Sequence, residues 1–193
     1  MQVLGEGGIG YLQNILDVAV SCGFDQTNGA SYALEADTGY VCAWGNNQYG
    51  QLGQGDADDS AHPTPVKVLS GWQDGDPDST TPLEDIVAIS AGCYHVLALD
   101  NEKKVWAWGK GASGQLGYGG TAPKYEPVQV EKLVDGQPSP LTNIVYIDAG
   151  FNHSTAIDED GNFWVWGENG LGQLGLGQGD TTDRYYATPM PSD

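Results

Sequence analysis

The apolar and polar positions of this chain fall into a pattern that recurs three times. Val105-Trp106-Ala107-Trp108-Gly109 is followed by Gly114-Gln115-Leu116-Gly117. The same phrase runs from Val41 to Gly45 with Gly50-Gln51-Leu52-Gly53, and from Phe163 to Gly167 with Gly172-Gln173-Leu174-Gly175. A short apolar run ending in Trp-Gly predicts a strand, and the glycine lets the backbone turn away into a tight loop. Pro65 to Val68 and Pro127 to Val130 then predict a returning edge strand, where the missing N–H of proline is tolerated. Upstream of the second phrase lie Ile86 to Gly92 and His95 to Leu99, and upstream of the third lie Ile144 to Gly150 and His153 to Ile157. Each unit therefore holds four short strands with turn residues between them, which is the content of one propeller blade.

The predicted fold class is all-β: a partial β-propeller of four-stranded antiparallel blades, about three per chain. The blade units are expected at 15–69, 86–131 and 144–193 within one domain spanning 1–193. Met1 to Leu4 matches Val66 to Leu69, so residues 1–4 read as a detached fourth strand. Closed propellers need roughly 4–8 blades. This chain is thus expected to be completed by another copy, joined head to tail, or by blades outside this sequence. Trp44, Trp108 and Trp166 are expected to be buried at equivalent positions with Leu52, Leu116 and Leu174 packed nearby, and Gly45, Gly109 and Gly167 to form the turns that follow them.

Ala91-Gly92, His95, Ala98-Leu99, Val105 to Gly109, Gly114 to Gly117 and Pro127 to Val130 follow one another in a characteristic order. They resemble the regulator-of-chromosome-condensation (RCC1-like) repeat, whose unit reads roughly "AG..H..AL...G.VW.WG.N..GQLG.G....P..V". The resemblance implies a β-propeller. It also implies several candidate functions, because the family includes a nucleotide exchange factor for a small GTPase, a photoreceptor, ubiquitin-ligase recognition domains and bacterial secreted inhibitors. What these share is a rigid ring that presents loops to a protein. The expected function is a non-enzymatic protein–protein interaction or assembly module. The alternatives are a guanine-nucleotide exchange factor and a self-assembling extracellular structural protein.

Charge narrows the partners. Seven basic residues against 26 acidic ones leave a net charge of −19, which opposes binding to nucleic acid or to an anionic membrane surface. The sequence contains no apolar run long enough for a transmembrane helix. Acidity with few lysines leans the expected location towards a bacterial surface or secreted setting. Exposed aromatics at loop tips are the residue type enriched at interaction hot spots, which singles out Trp72, Tyr118, Tyr125, Tyr185 and Tyr186. Covering a blade edge is their competing role.

The candidate chemistry is sparse. Gly5-Glu6-Gly7-Gly8-Ile9-Gly10 has dinucleotide-loop spacing but occupies an inter-blade slot without a βαβ unit, so it reads as a loop. Asp74, Asp76 and Asp78 alternate as calcium ligands can, although Ser79 stands where a helix-loop-helix calcium site has glycine. A solvated loop is therefore the favoured reading, and no cofactor is expected. His95 and His153 recur at one blade position, so each is expected to bond backbone within its own blade. Cys22, Cys42 and Cys93 fall at packing positions as small hydrophobes, with a Cys22–Cys93 bridge between neighbouring blades as the alternative. No catalytic constellation is present in the sequence, and no enzymatic activity is expected.

Overall fold

Strands form where the apolar runs predict them. The computed structural model describes residues 3–22, 29–71 and 80–191. The first blade holds β1 (Ile15–Val20), β2 (Ala30–Glu35), β3 (Val41–Asn47) and β4 (Asp58–Lys67), in that order across one antiparallel sheet. The second holds β5 (Ile86–Ala91), β6 (His95–Asp100), β7 (Val105–Gly109) and β8 (Lys124–Gln129). Prolines 63, 65 and 127 lie in β4 and β8, the outermost strands of these blades, where no further ladder needs their N–H.

Between the second and third blades the chain forms β9 (Glu131–Val134) and β10 (Gln137–Pro140), paired as a hairpin. The repeat pattern assigns this stretch to an inter-blade loop. The overlooked signal is Asp135-Gly136: both residues have positive φ, at 51° and 77°, as a two-residue hairpin turn matched to strand twist requires. The third blade holds β11 (Ile144–Ala149), β12 (His153–Asp158), β13 (Phe163–Gly167) and β14 (Arg184–Pro189). Lys132 pairs with Ala187 in parallel, so the hairpin extends this sheet to six strands and covers its outer edge.

Two hydrophobic clusters lie between successive blades. The first joins Tyr32, Leu34, Val41, Leu52 and Val68 to Ile89, Val96 and Trp108; the second joins Leu97, Leu99, Val105 and Leu116 to Ile147, Ala156 and Trp166. The core thus sits between blades, and a blade without a neighbour keeps a bare face.

Residues near the N-terminus fold back locally. Leu4 bridges Tyr11, the Leu12 N–H donates to the Val3 carbonyl at 3.1 Å, and Glu6 pairs with Lys67 of β4 at 3.2 Å. The end of the predicted detached strand is therefore engaged within its own chain.

The cysteine reading needs correction. Cys22 and Cys93 form a disulfide with Cα atoms 4.4 Å apart, bonding the first blade to the second. The sequence comparison places Cys22 opposite Ala91, but hydrogen bonding shifts the register by one. Ser21, Gly92 and Gly150 each donate an N–H to the first residue of the next strand, at 2.9 Å in every case. Cys22 therefore occupies the same blade position as Cys93, one blade earlier. Cys42 is a free, buried thiol, as expected; burial, then the neighbouring Glu35 carboxylate, push its pKa up to about 12. Reducing the Cys22–Cys93 bond, which spans 71 residues, is expected to lower stability by about 2–4 kcal/mol. Urea titrations with and without reductant measure this, and coincident curves would contradict it.

Candidate interaction faces

The Gly-Gln-Leu-Gly turn of one blade holds the tryptophan of the next. Trp108 Nε1–H donates to the Gln51 carbonyl at 2.9 Å, and Trp166 Nε1–H donates to the Gln115 carbonyl at 2.8 Å. The glutamine side chain shapes its own turn. Gln51, Gln115 and Gln173 each accept, through Oε1, the backbone N–H two residues earlier, at 2.8, 2.9 and 2.9 Å. Asn47 and Asn169 brace the same loops from below by accepting the N–H of Leu52 and Leu174 at 3.1 and 3.0 Å. The carbonyl is thereby fixed towards the neighbouring blade.

The glycine after each tryptophan has a steric reason. Gly45, Gly109 and Gly167 have φ of 110°, 98° and 98°. A Cβ on them would meet the carbonyl oxygens of Gly29, Tyr94 and Asn152 at 2.5, 2.4 and 2.6 Å. No side chain fits there.

The histidines do not bond backbone in their own blade. His95 Nε2 lies 2.9 Å from Ser154 Oγ in the third blade, and that hydroxyl donates to the Gln115 carbonyl at 2.9 Å. With the serine proton committed, the imidazole must donate from Nε2, so it is the neutral tautomer with Nδ1 as a bare acceptor. Nδ1 has no partner, consistent with that assignment. Burial, followed by the charges of His153 and Lys110, pushes the His95 pKa down to about 3. Nothing in the sequence pattern names Ser154 as the partner, because the contact crosses between blades.

A second motif also escapes the sequence reading. The first tryptophan of each pair is anchored to an aspartate at the end of the preceding strand: Trp106 to Asp100 at 2.8 Å and Trp164 to Asp158 at 2.9 Å. For Asp158, burial acts to raise the pKa. Hydrogen bonds from Trp164, Asn162 and the backbone outweigh it and hold the carboxyl below its ordinary range.

At the outer blades the same groups stand without partners. Trp44 is only half-buried, unlike Trp108 and Trp166, because no Gly-Gln-Leu-Gly turn of a preceding blade lies against it. Among the described residues, the Trp44 indole, Ser31 hydroxyl, His153 ring and Gln173 carbonyl make no hydrogen bond. Gln173 is exposed, whereas Gln51 and Gln115 are fully buried.

The tyrosines singled out from the sequence lie along the outer strands. Tyr125 packs over Gly50 of the preceding blade, and Tyr185 over Gly114, so each stitches two blades while part of its ring stays exposed. Tyr118 and Tyr186 form an isolated bridge, and the Tyr118 hydroxyl donates to the Ala122 carbonyl at 3.0 Å. Trp72 and the acidic triplet Asp74, Asp76 and Asp78 lie outside the described residues. Among the described residues, no group of three or more His, Cys, Asp and Glu side chains could hold a metal ion.

Known proteins share this pattern. The regulator of chromosome condensation (RCC1) repeat model matches residues 38–99 and 103–157, and a second model of the same repeat matches 86–115 and 144–173. The first match begins just before β3 and ends within β6, so one sequence repeat straddles two blades; it holds the Gln51 turn, while Trp108, which that turn seats, belongs to the next match. The ultraviolet-B receptor UVR8 of Arabidopsis thaliana is 34% identical over 157 residues, covering 80% of this chain and 31% of its own length. The E3 ubiquitin-protein ligase HERC2 of Homo sapiens is 30% identical over 168 residues, covering 87% of this chain and 3% of its own length. The structure of Prp20p from Saccharomyces cerevisiae superposes with a TM-score of 0.64 at 23% identity, over 94% of this chain and 39% of Prp20p. The chain thus spans about two fifths or less of the length of these three relatives. With its repeat matched over more than half its length, and its blades assembled through that repeat, the chain belongs to the RCC1 repeat family.

Proposed function

We propose that this chain is a non-enzymatic protein-interaction and assembly module. Its partner surfaces are the two open blade faces and the outer rim carrying Tyr118, Tyr125, Tyr185 and Tyr186. One observation carries the reading: groups that join blades inside the chain stand unsatisfied on the outer face of the first blade and of the third. Such a face loses free energy to water until another protein surface covers it, because apolar area and polar groups are both left without partners. The relatives fit a protein as partner, since Prp20p is described by its binding to Gsp1p and histones. The net charge of −19 opposes nucleic acid in that role.

The two open faces differ, so contact between copies is heterologous, head to tail, and builds a ring or a filament. Two copies would supply a ring within the roughly 4–8 blades that propellers use. Sedimentation velocity over a range of concentrations tests this. The expected result is a species heavier than one 20.4 kDa chain that grows with concentration. A folded monomer throughout the micromolar range would remove self-assembly from the reading. The tyrosine rim is tested separately with Tyr185→Ala and Tyr186→Ala together; a pull-down that retains every partner would dismiss that rim.

A further inference from the structure

We propose that the two open faces are the halves of one specific joint, in which a second copy of this chain places Ser31 against His153 and Trp44 against the Gly172–Gly175 turn. This rests on the assembly reading above and adds the residues that decide which surface fits which.

The strand registers make the positions strictly equivalent. Ala30, His95 and His153 pair with Gly45, Gly109 and Gly167, while Ser31, Val96 and Ser154 pair with Trp44, Trp108 and Trp166. Between the first and second blades the joint is apolar: Ala30 and Val96 share one buried cluster. Between the second and third it is polar: His95 meets Ser154 at 2.9 Å. The chain therefore matches residue types across each joint, a methyl with an isopropyl group and an imidazole with a hydroxyl. His153 on the open face of the third blade calls for a hydroxyl. Ser31 on the open face of the first blade supplies one.

Counting acceptors gives the same answer. The Gln51 carbonyl takes the Trp108 indole and the Tyr32 hydroxyl, at 2.9 and 3.1 Å. The Gln115 carbonyl takes the Trp166 indole and the Ser154 hydroxyl, at 2.8 and 2.9 Å. Each uses both lone pairs. The Gln173 carbonyl has neither donor, and Thr155, which stands where Tyr32 does, gives its hydroxyl to the Asp148 carbonyl instead at 3.3 Å. Both donors must then come from outside, and Trp44 with Ser31 is the pair that the other joints would place there.

Packing agrees. A Cβ on Gly50 or Gly114 would strike Tyr125 or Tyr185, whereas one on Gly172 would meet nothing within 4 Å, so that turn lacks its cover. Val18 is 67% exposed, although the residues at its position in the other blades, Ile89 and Ile147, are 7% and 5% exposed. On the opposite face Phe163 is exposed where Val105 is fully buried.

The test uses the intact chain with Ser31→Val, His153→Ala, both together, and an equimolar mixture of the two single variants. It is run near physiological salt, where screening over about 8 Å limits repulsion between these acidic copies. Ser31→Val is expected to weaken association about 10–100-fold, because it buries an imidazole N–H without an acceptor. The double variant recreates the Ala30–Val96 joint and is expected to associate within a few-fold of the unchanged chain. Mixing the single variants is also expected to restore association. In a two-copy ring one joint then pairs His153 with Ser31, and the other pairs an alanine with a valine. Circular dichroism on each variant confirms that the blades remain folded. If the unchanged chain associates but Ser31→Val leaves its affinity intact, or neither the double variant nor the mixture recovers, the joint is overturned while the assembly reading stands. If the unchanged chain does not associate at all, both are overturned.

Discussion

Replacing Trp108 with alanine is expected to cost about 3–5 kcal/mol of folding stability, the range for truncating a buried aromatic side chain. The ring is fully buried in the cluster between the first and second blades, and its indole holds the Gln51 carbonyl at 2.9 Å. The substitution opens a cavity and cuts an inter-blade hydrogen bond together. Trp44→Ala in the single chain is the natural comparison, since Trp44 occupies the same repeat position but is half-exposed and donates to nothing. Its loss is expected near 1 kcal/mol, as for changes outside a packed core. Urea unfolding of the two variants measures both. Equal losses would mean that burial between blades does not set the role of this tryptophan.

Acid is expected to weaken the chain well above the range in which carboxylates titrate. His95 has a pKa pushed down to about 3 by burial, against 6.5 for the unperturbed ring. Above pH 6.5 the ring is neutral in both the folded and unfolded states, so it adds no pH dependence. Below that value the unfolded chain takes up a proton that the native ring refuses. Stability then falls as pH falls, by about 1.4 kcal/mol per pH unit once the unfolded ring is mostly protonated, until the folded pKa is reached. Asp158 adds a loss of the same sign at lower pH, since its folded pKa is held below the unfolded one and its contribution disappears as acid protonates it. Denaturant midpoints between pH 7 and pH 5 isolate the histidine. The slope is expected to vanish in His95→Gln; an unchanged slope in that variant would place its origin elsewhere.

These two residues mark how far the sequence could be read. Trp-Gly and Gly-Gln-Leu-Gly are short, local phrases, so the strands, the turns and the repeat were legible from periodicity and glycine alone. The partner of each tryptophan was not. Trp108 reaches Gln51 and Trp166 reaches Gln115 across a blade boundary, 57 and 51 positions away in sequence. His95 illustrates the same limit: recurrence correctly suggests a structural role, but the acceptor is a serine of the next blade rather than local backbone. The cysteines failed for a subtler reason. Matching Cys22-Gly23 to Ala91-Gly92 by letter slips the register by one, and only the ladder at Ser21 and Gly92 shows that Cys22 and Cys93 are equivalent and bonded. The β9–β10 hairpin was legible in Asp135-Gly136, yet the repeat frame, which treats the segment between blades as loop, hid it. Trp44 is less buried than its repeat position predicts, because equivalence within a repeat does not guarantee an equivalent neighbour.

The central claim is that the second and third blades are each held by the turn of the blade before, and that the first blade lacks this support within the chain. Hydrogen exchange at the tryptophan indoles, followed by NMR on isotope-labelled chain, reads it residue by residue. In dilute, dissociated protein the indole protons of Trp108 and Trp166 should exchange slowly, because each is buried on a carbonyl of the preceding blade. That of Trp44 should exchange rapidly, and should slow as rising concentration brings a second copy against it. Slow exchange at Trp44 in the monomer, or rapid exchange at Trp108 and Trp166, would contradict the account.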